Sequence, residues 1–196
     1  MVKRHPQPFA ELSQVILDSK EIPMTKKKDM SYAQQRTEKE IKLRNQFWPE
    51  VKEDELWLRT DKENTKGFTT IPRGMPQISQ AMDYCSKNKP LSAVYFALWC
   101  RVYDSGVVTI ENQRDLAYES GFSGQRAEST WVSRMKRLVE LGFVEIHKKP
   151  SGDIDFVLIK NPYKVIKRLY ADKEISQAIY DALYIRAEQV GATDLD

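Results

Sequence analysis

Residues 112–159 read NQRDLAYESGFSGQRAESTWVSRMKRLVELGFVEIHKKPSGDIDFVLI. Asn112 and Asp115 have the spacing of a helix-capping pair, and the short helix they open carries Leu116 and Ala117 and stops at Gly121. Phe122 follows as an apolar plug, and Ser123 is expected to cap a second helix running to Leu141. In that helix Ala127, Trp131, Met135, Leu138 and Gly142 step by four or three residues, so one face is apolar. Gly142 supplies the left-handed residue that ends it. Phe143-Val144-Glu145-Ile146 and Phe156-Val157-Leu158-Ile159 read as two short strands. The link between them, His147 to Asp153, is rich in turn formers, with Ser-Gly-Asp at its tip.

Working outward, the pattern of a packed domain begins at Gly67. Phe68-Thr69-Thr70-Ile71 is expected to be a short strand, with Pro72-Arg73-Gly74 as punctuation. Pro76 suits the first turn of a helix carrying Ile78, Ala81, Met82 and Cys85. Ser92 reads as the N-cap of the next helix, where Ala93, Phe96, Ala97, Trp99, Cys100 and Tyr103 make a broad apolar surface. Val107-Val108-Thr109-Ile110 is rich in β-branched residues and reads as a strand. Helix, strand, helix, turn, helix, strand, turn, strand is the order of a winged helix-turn-helix. The fold class expected is therefore mainly α with a small β-wing (α+β), with that core over 66–160.

The same stretch resembles a known family. Leu116-Ala117, then Gly121-Phe122-Ser123, then Thr130-Trp131-Val132-Ser133-Arg134-Met135-Lys136-Arg137-Leu138-Val139-Glu140-Leu141-Gly142-Phe143-Val144 is similar to the core signature of bacterial winged-helix regulators, over roughly residues 92 to 160. The gap between Gly121 and Trp131 is about four residues longer than the common pattern. About four residues make one turn of helix, so Gly124-Gln125-Arg126-Ala127 is expected to lengthen the recognition helix at its N-terminus, to about 124–141.

The charge pattern on that helix points to a partner. Opposite the Trp131 stripe, at about 100° per residue, Arg126, Ser129, Ser133, Lys136 and Arg137 are expected, flanked by Gln125 and Thr130. Three cations, two hydroxyls and no acid are expected on this face, with Glu128 and Glu140 off it. Such a face suits a major groove, where Arg pairs with guanine, Gln with adenine, and Ser, Thr and Lys bind phosphates. His147, Lys148 and Lys149 on the wing can reach a flanking phosphate, although Asp153 and Asp155 oppose one. Lys160, Lys164, Lys167 and Arg168 follow; Lys160, Lys164 and Lys167 share a helix face that could extend the basic surface, but a solvated face is the preferred reading.

Either side of this core lie two extensions. Residues 1–65 form a charged arm containing Lys26-Lys27-Lys28, a polar helix capped by Ser31, and bulky anchors at Phe47, Trp48, Trp57 and Leu58. Residues 161–196 begin at Asn161-Pro162, a strong helix start. A second helix is expected from Lys173 to Val190, with an apolar stripe of Ile175, Ala178, Ile179, Ala182, Leu183, Ile185 and Ala187. That stripe needs a cover, either on the same chain, against Phe96 and Trp99 or the N-terminal arm, or in a homodimer, which would suit a two-fold operator.

Composition narrows the classes. The 196 residues carry 31 Lys plus Arg against 28 acids, a formal net charge of +3, which permits nucleic-acid binding without arguing for it. No apolar run approaches the roughly 20 residues that span a bilayer, and the N-terminus is a poor secretory signal, so a cytoplasmic, nucleoid-associated protein is expected. Cys85 and Cys100 read as reduced, buried thiols. With only His5 and His147 besides, neither a zinc site nor an enzyme is expected, and no cofactor motif appears. The leading expectation is a sequence-specific double-stranded DNA-binding protein, a bacterial or mobile-element regulator without catalysis. A replication or partition protein and a winged-helix module that meets another protein remain alternatives.

Overall fold

The polar helix expected after Ser31 forms as α1, Tyr32–Phe47. Gln34 N donates to Ser31 Oγ at 3.3 Å while Ser31 N donates to Gln34 Oε1 at 2.9 Å, a reciprocal cap. Its apolar residues bury little: Ile41, Leu43, Phe47 and the adjoining Trp48 are all exposed. Ion pairs Arg36–Glu40 at 2.8 Å and Arg44–Glu53 at 3.1 Å support it instead. The computed structural model describes residues 31–56, 58 and 67–195, the side chains of Tyr32 and Ala33 excepted. His5, Lys26-Lys27-Lys28 and Trp57 lie outside the described residues. The chain divides into two units, Met1–Asn64, which contains α1, and Thr65–Asp196.

The second unit runs α2 (Met75–Tyr84), α3 (Ser92–Arg101), β1 (Val107–Thr109), α4 (Gln113–Glu119), α5 (Ala127–Glu140), β2 (Val144–Lys148), β3 (Ile154–Ile159), α6 (Pro162–Ala171) and α7 (Gln177–Val190). It is mainly helical with a small antiparallel sheet in the order β1-β3-β2. Val108 pairs with Val157 and Val144 with Ile159. Val108, Val144, Ile154 and Val157 are buried, while Phe156 and Leu158 are exposed. Trp131, Met135 and Leu138 of α5 are fully buried with Leu98, Leu116 and Phe143, so the four-and-three spacing of α5 is its core face.

Asn161 caps α6 as its sequence suggests: Tyr163 N and Lys164 N donate to its Oδ1 at 3.0 and 3.4 Å, and Pro162 takes the first turn. Ile166 and Leu169 are fully buried, and both α6 and α7 pack on α2. The C-terminal helices therefore share the core of the second unit.

Several local expectations are corrected. Phe68–Ile71 is not a strand, and both Phe68 and Ile71 are exposed. Ser92 does not cap α3 but is its first residue. The cap comes from Asp83 of α2, whose carboxylate accepts from Leu91 N at 2.6 Å, Ser92 N at 2.9 Å and Ser92 Oγ at 2.7 Å. Cys85 is buried but Cys100 is exposed. The last helix starts at Gln177 rather than Lys173, because Lys173 takes a left-handed conformation, φ 60°, that closes the end of α6. The apolar stripe also splits: Ile175, Leu183 and Ala187 are buried within the chain, whereas Ala178, Ala182 and Ile185 face out.

Candidate nucleic-acid interface

Three pieces of chain meet at one groove: the first turn of α4, the turn leading into α5, and the tip of the β2–β3 hairpin. The groove encloses about 540 Å³, with Gln113, Gln125, Ser129, Lys148 and Asp153 among its lining residues.

The turn into α5 differs from expectation. Gly124 sits at φ 78°, a left-handed conformation that favours glycine, and Ala127 N donates to Gly124 O at 3.2 Å. Gly124, Gln125 and Arg126 thus form a separate turn, and the longer gap after Gly121 does not lengthen the helix. Ser123 does not cap it. Arg126 is the N-cap residue of α5, and no side chain caps the helix. Ser129 Oγ donates to Arg126 O at 3.0 Å, which ties the turn to the helix.

Along α5, Ser129, Ser133 and Lys136 are exposed and Thr130 is half-buried. Two assignments on this face are corrected. Glu140 belongs to it, because Ser133, Lys136 and Glu140 are spaced by three and four residues and so share one side of a helix. Arg137 does not project freely. Its Nη2 donates to Cys85 O at the end of α2, at 2.9 Å, and its Nη1 pairs with Glu140 at 3.0 Å. A guanidinium long enough to reach the next helix end satisfies a carbonyl there, since the last carbonyls of a helix lack intrahelical donors.

The hairpin carries Lys148 and Lys149. A register shift between His147 and Lys148 interrupts the ladder, and such irregularities re-aim side chains. Lys149 N donates to Asp153 O at 2.8 Å and Gly152 N to Lys149 O at 2.9 Å, closing the tip. Both wing acids have partners. Asp153 accepts from Gln113 Nε2 at 3.0 Å and Ser151 Oγ at 2.8 Å. Asp155 lies 2.7 Å from His147 Nδ1. Partial burial pushes the Asp155 carboxyl upward, but the hydrogen bond and charge of His147, with two backbone amides, outweigh it and hold it below the usual range.

Among the described residues, Arg126, Lys136, Lys148 and Lys149 make no salt bridge and no side-chain hydrogen bond. Of the C-terminal cations, the exposed Lys164 makes no salt bridge among the described residues, but the other three are different. Lys160 pairs with Glu145 at 2.6 Å, Lys167 Nζ donates to Leu195 O at 2.8 Å, and Arg168 Nη2 donates to Leu141 O at 2.5 Å. They serve the fold more than any open surface. Gln113 was not singled out from the sequence. Its position just after the Asn112 cap marks a helix start, but nothing local signals a partner 40 residues away.

No known protein family, curated protein or solved structure matches the chain. Among the described residues no helix is long and apolar enough to cross a membrane.

Proposed function

We propose that the second unit is a winged helix that binds double-stranded DNA without catalysis, as a bacterial or mobile-element regulator would. In this reading α4 and α5 are the helix-turn-helix, α5 is the recognition helix and β2–β3 is the wing. The order α3-β1-α4-α5-β2-β3 and the strand order β1-β3-β2 support the fold. One observation carries the function. Arg126, Lys136, Lys148 and Lys149, which make no salt bridge or side-chain hydrogen bond among the described residues, stand on the same helix, leading turn and hairpin as the exposed Gln125, Ser129 and Ser133, while Asp153 and Asp155 are bound to neighbours. Exposed cations and hydroxyls on a helix and the neighbouring hairpin suit phosphate contacts; Arg126 and Gln125 have the chemistry to read guanine and adenine.

Gel-shift and anisotropy titrations against random duplex DNA test it. Each neutralised phosphate contributes about −0.9 to the slope of log K against log salt. Four contacts then imply a fall of about two orders of magnitude between 50 and 200 mM salt. Failure to bind duplex at low salt overturns the DNA reading and favours a protein partner, for which Glu128 and Glu140 on the exposed side of α5 would be natural contacts.

A further inference from the structure

Gln113 is the least expected residue in the groove. It is only 8% exposed, yet it is polar and sits at the first position of α4. Its Nε2 donates to Asp153 Oδ1 at 3.0 Å, and among the described residues its Oε1 is buried with no partner. A half-satisfied buried amide is disfavoured relative to an apolar side chain of similar size, so packing alone gives no reason for glutamine here. What the amide does is hold the hairpin. Asp153 stands at the tip, and its other carboxylate oxygen accepts from Ser151 Oγ at 2.8 Å. Its backbone carbonyl accepts from Lys149 N at 2.8 Å. One carboxylate thus ties the whole tip, with Lys148 and Lys149 on its rising side, to the start of α4.

We propose that Gln113 is a positioning residue for DNA binding: through Asp153 it fixes the wing against α4, so that Lys148 and Lys149 meet the same stretch of phosphates as Arg126 and the N-terminal turns of α5. The inference rests on the DNA reading. A hairpin tied only through β2 and β3 could swing, and each lysine would then lose entropy on binding that the tether has already removed.

The test is a double-mutant cycle read by anisotropy over a salt series. Gln113→Ala should weaken duplex binding by about ten-fold and lower the salt slope by one to two, the amount expected for losing one or two lysine–phosphate contacts. In a Lys148→Ala, Lys149→Ala background the same substitution should change neither affinity nor slope. A merely structural glutamine would weaken binding equally in both backgrounds. The charge-conserving pair Gln113→Glu with Asp153→Asn reverses the polarity of the hydrogen bond and should restore both affinity and slope; circular dichroism melting checks that each variant folds. If the wild-type protein binds duplex with the expected salt slope but folded Gln113→Ala matches it, this inference alone is overturned. If the wild-type protein binds no duplex, the DNA reading falls first and takes the inference with it.

Discussion

The two ends of α5 treat their cations in opposite ways. At the C-terminal end Arg137 donates to Cys85 O and pairs with Glu140, and Arg168 of α6 reaches over to Leu141 O. Even Gly142 belongs to this arrangement, because a Cβ there would stand 2.9 Å from Arg168 Nη2. At the N-terminal end Arg126 and, across the groove, Lys148 and Lys149 have no such partners among the described residues. Helix ends expose unpaired carbonyls at one terminus and unpaired amides at the other. Cations are drawn into the carbonyl end as structural donors and find nothing to bind at the amide end. Positive charge near an amide end remains available for an anion from outside, and that is the chemistry a phosphate backbone supplies.

The contrast can be broken by exchanging stability for affinity. Arg137→Ala and Arg168→Ala should each cost about 1–3 kcal/mol, since each strands a partly buried carbonyl that had a charged donor. Thermal melting should register that loss, while the salt slope of DNA binding stays unchanged. Lys148→Ala with Lys149→Ala should do the reverse. The melting temperature should hold, because exposed side chains without partners contribute within about 0.5 kcal/mol, and the salt slope should fall by about two. If Arg137→Ala flattened the slope while leaving melting untouched, the division between the two ends of α5 would be wrong.

This division was only half legible in the sequence. The core stripe of Trp131, Met135 and Leu138 was readable because burial follows helical period, and Asn161-Pro162 was readable because caps act within four residues. Both signals are local. The role of Arg137 was not legible, because a guanidinium facing solvent and one donating to a carbonyl 52 residues away look alike on a helical wheel. Asp83 capping α3 in place of Ser92 failed for the same reason: the acceptor came from the previous helix. The start of α5 was not legible because Gly124, with no Cβ, takes a left-handed turn that helical spacing does not signal. Of the groove, the residues of α5 and the wing were visible one by one. Their convergence, and the tether through Gln113, depended on packing that no window of sequence contains.

The smallest effect separates the acids that accompany each kind of cation. Glu119 is bound by Arg101 through contacts of 2.8 and 2.5 Å, and that hydrogen bond, against some desolvation, holds its carboxyl below the usual range. Asp155 on the wing is also held low, by His147. A carboxyl with a lowered folded value adds stability that is present above its unfolded value, about 4.3 for Glu and 3.9 for Asp. That contribution is lost as pH falls through the lowered folded value. The stability gap between wild type and Glu119→Gln, read as urea midpoints, should therefore be constant from pH 7 to 5 and close toward pH 3. Because Glu119 is 41% exposed, solvent screening keeps the gap below about 1 kcal/mol. Asp155→Asn should show the same sign. It should also leave the salt slope of DNA binding intact at pH 7, since the acid is not itself a phosphate contact. A gap that widened in acid would mean that these carboxyls are destabilised by the fold, and that their cations are held by something other than the pairs described.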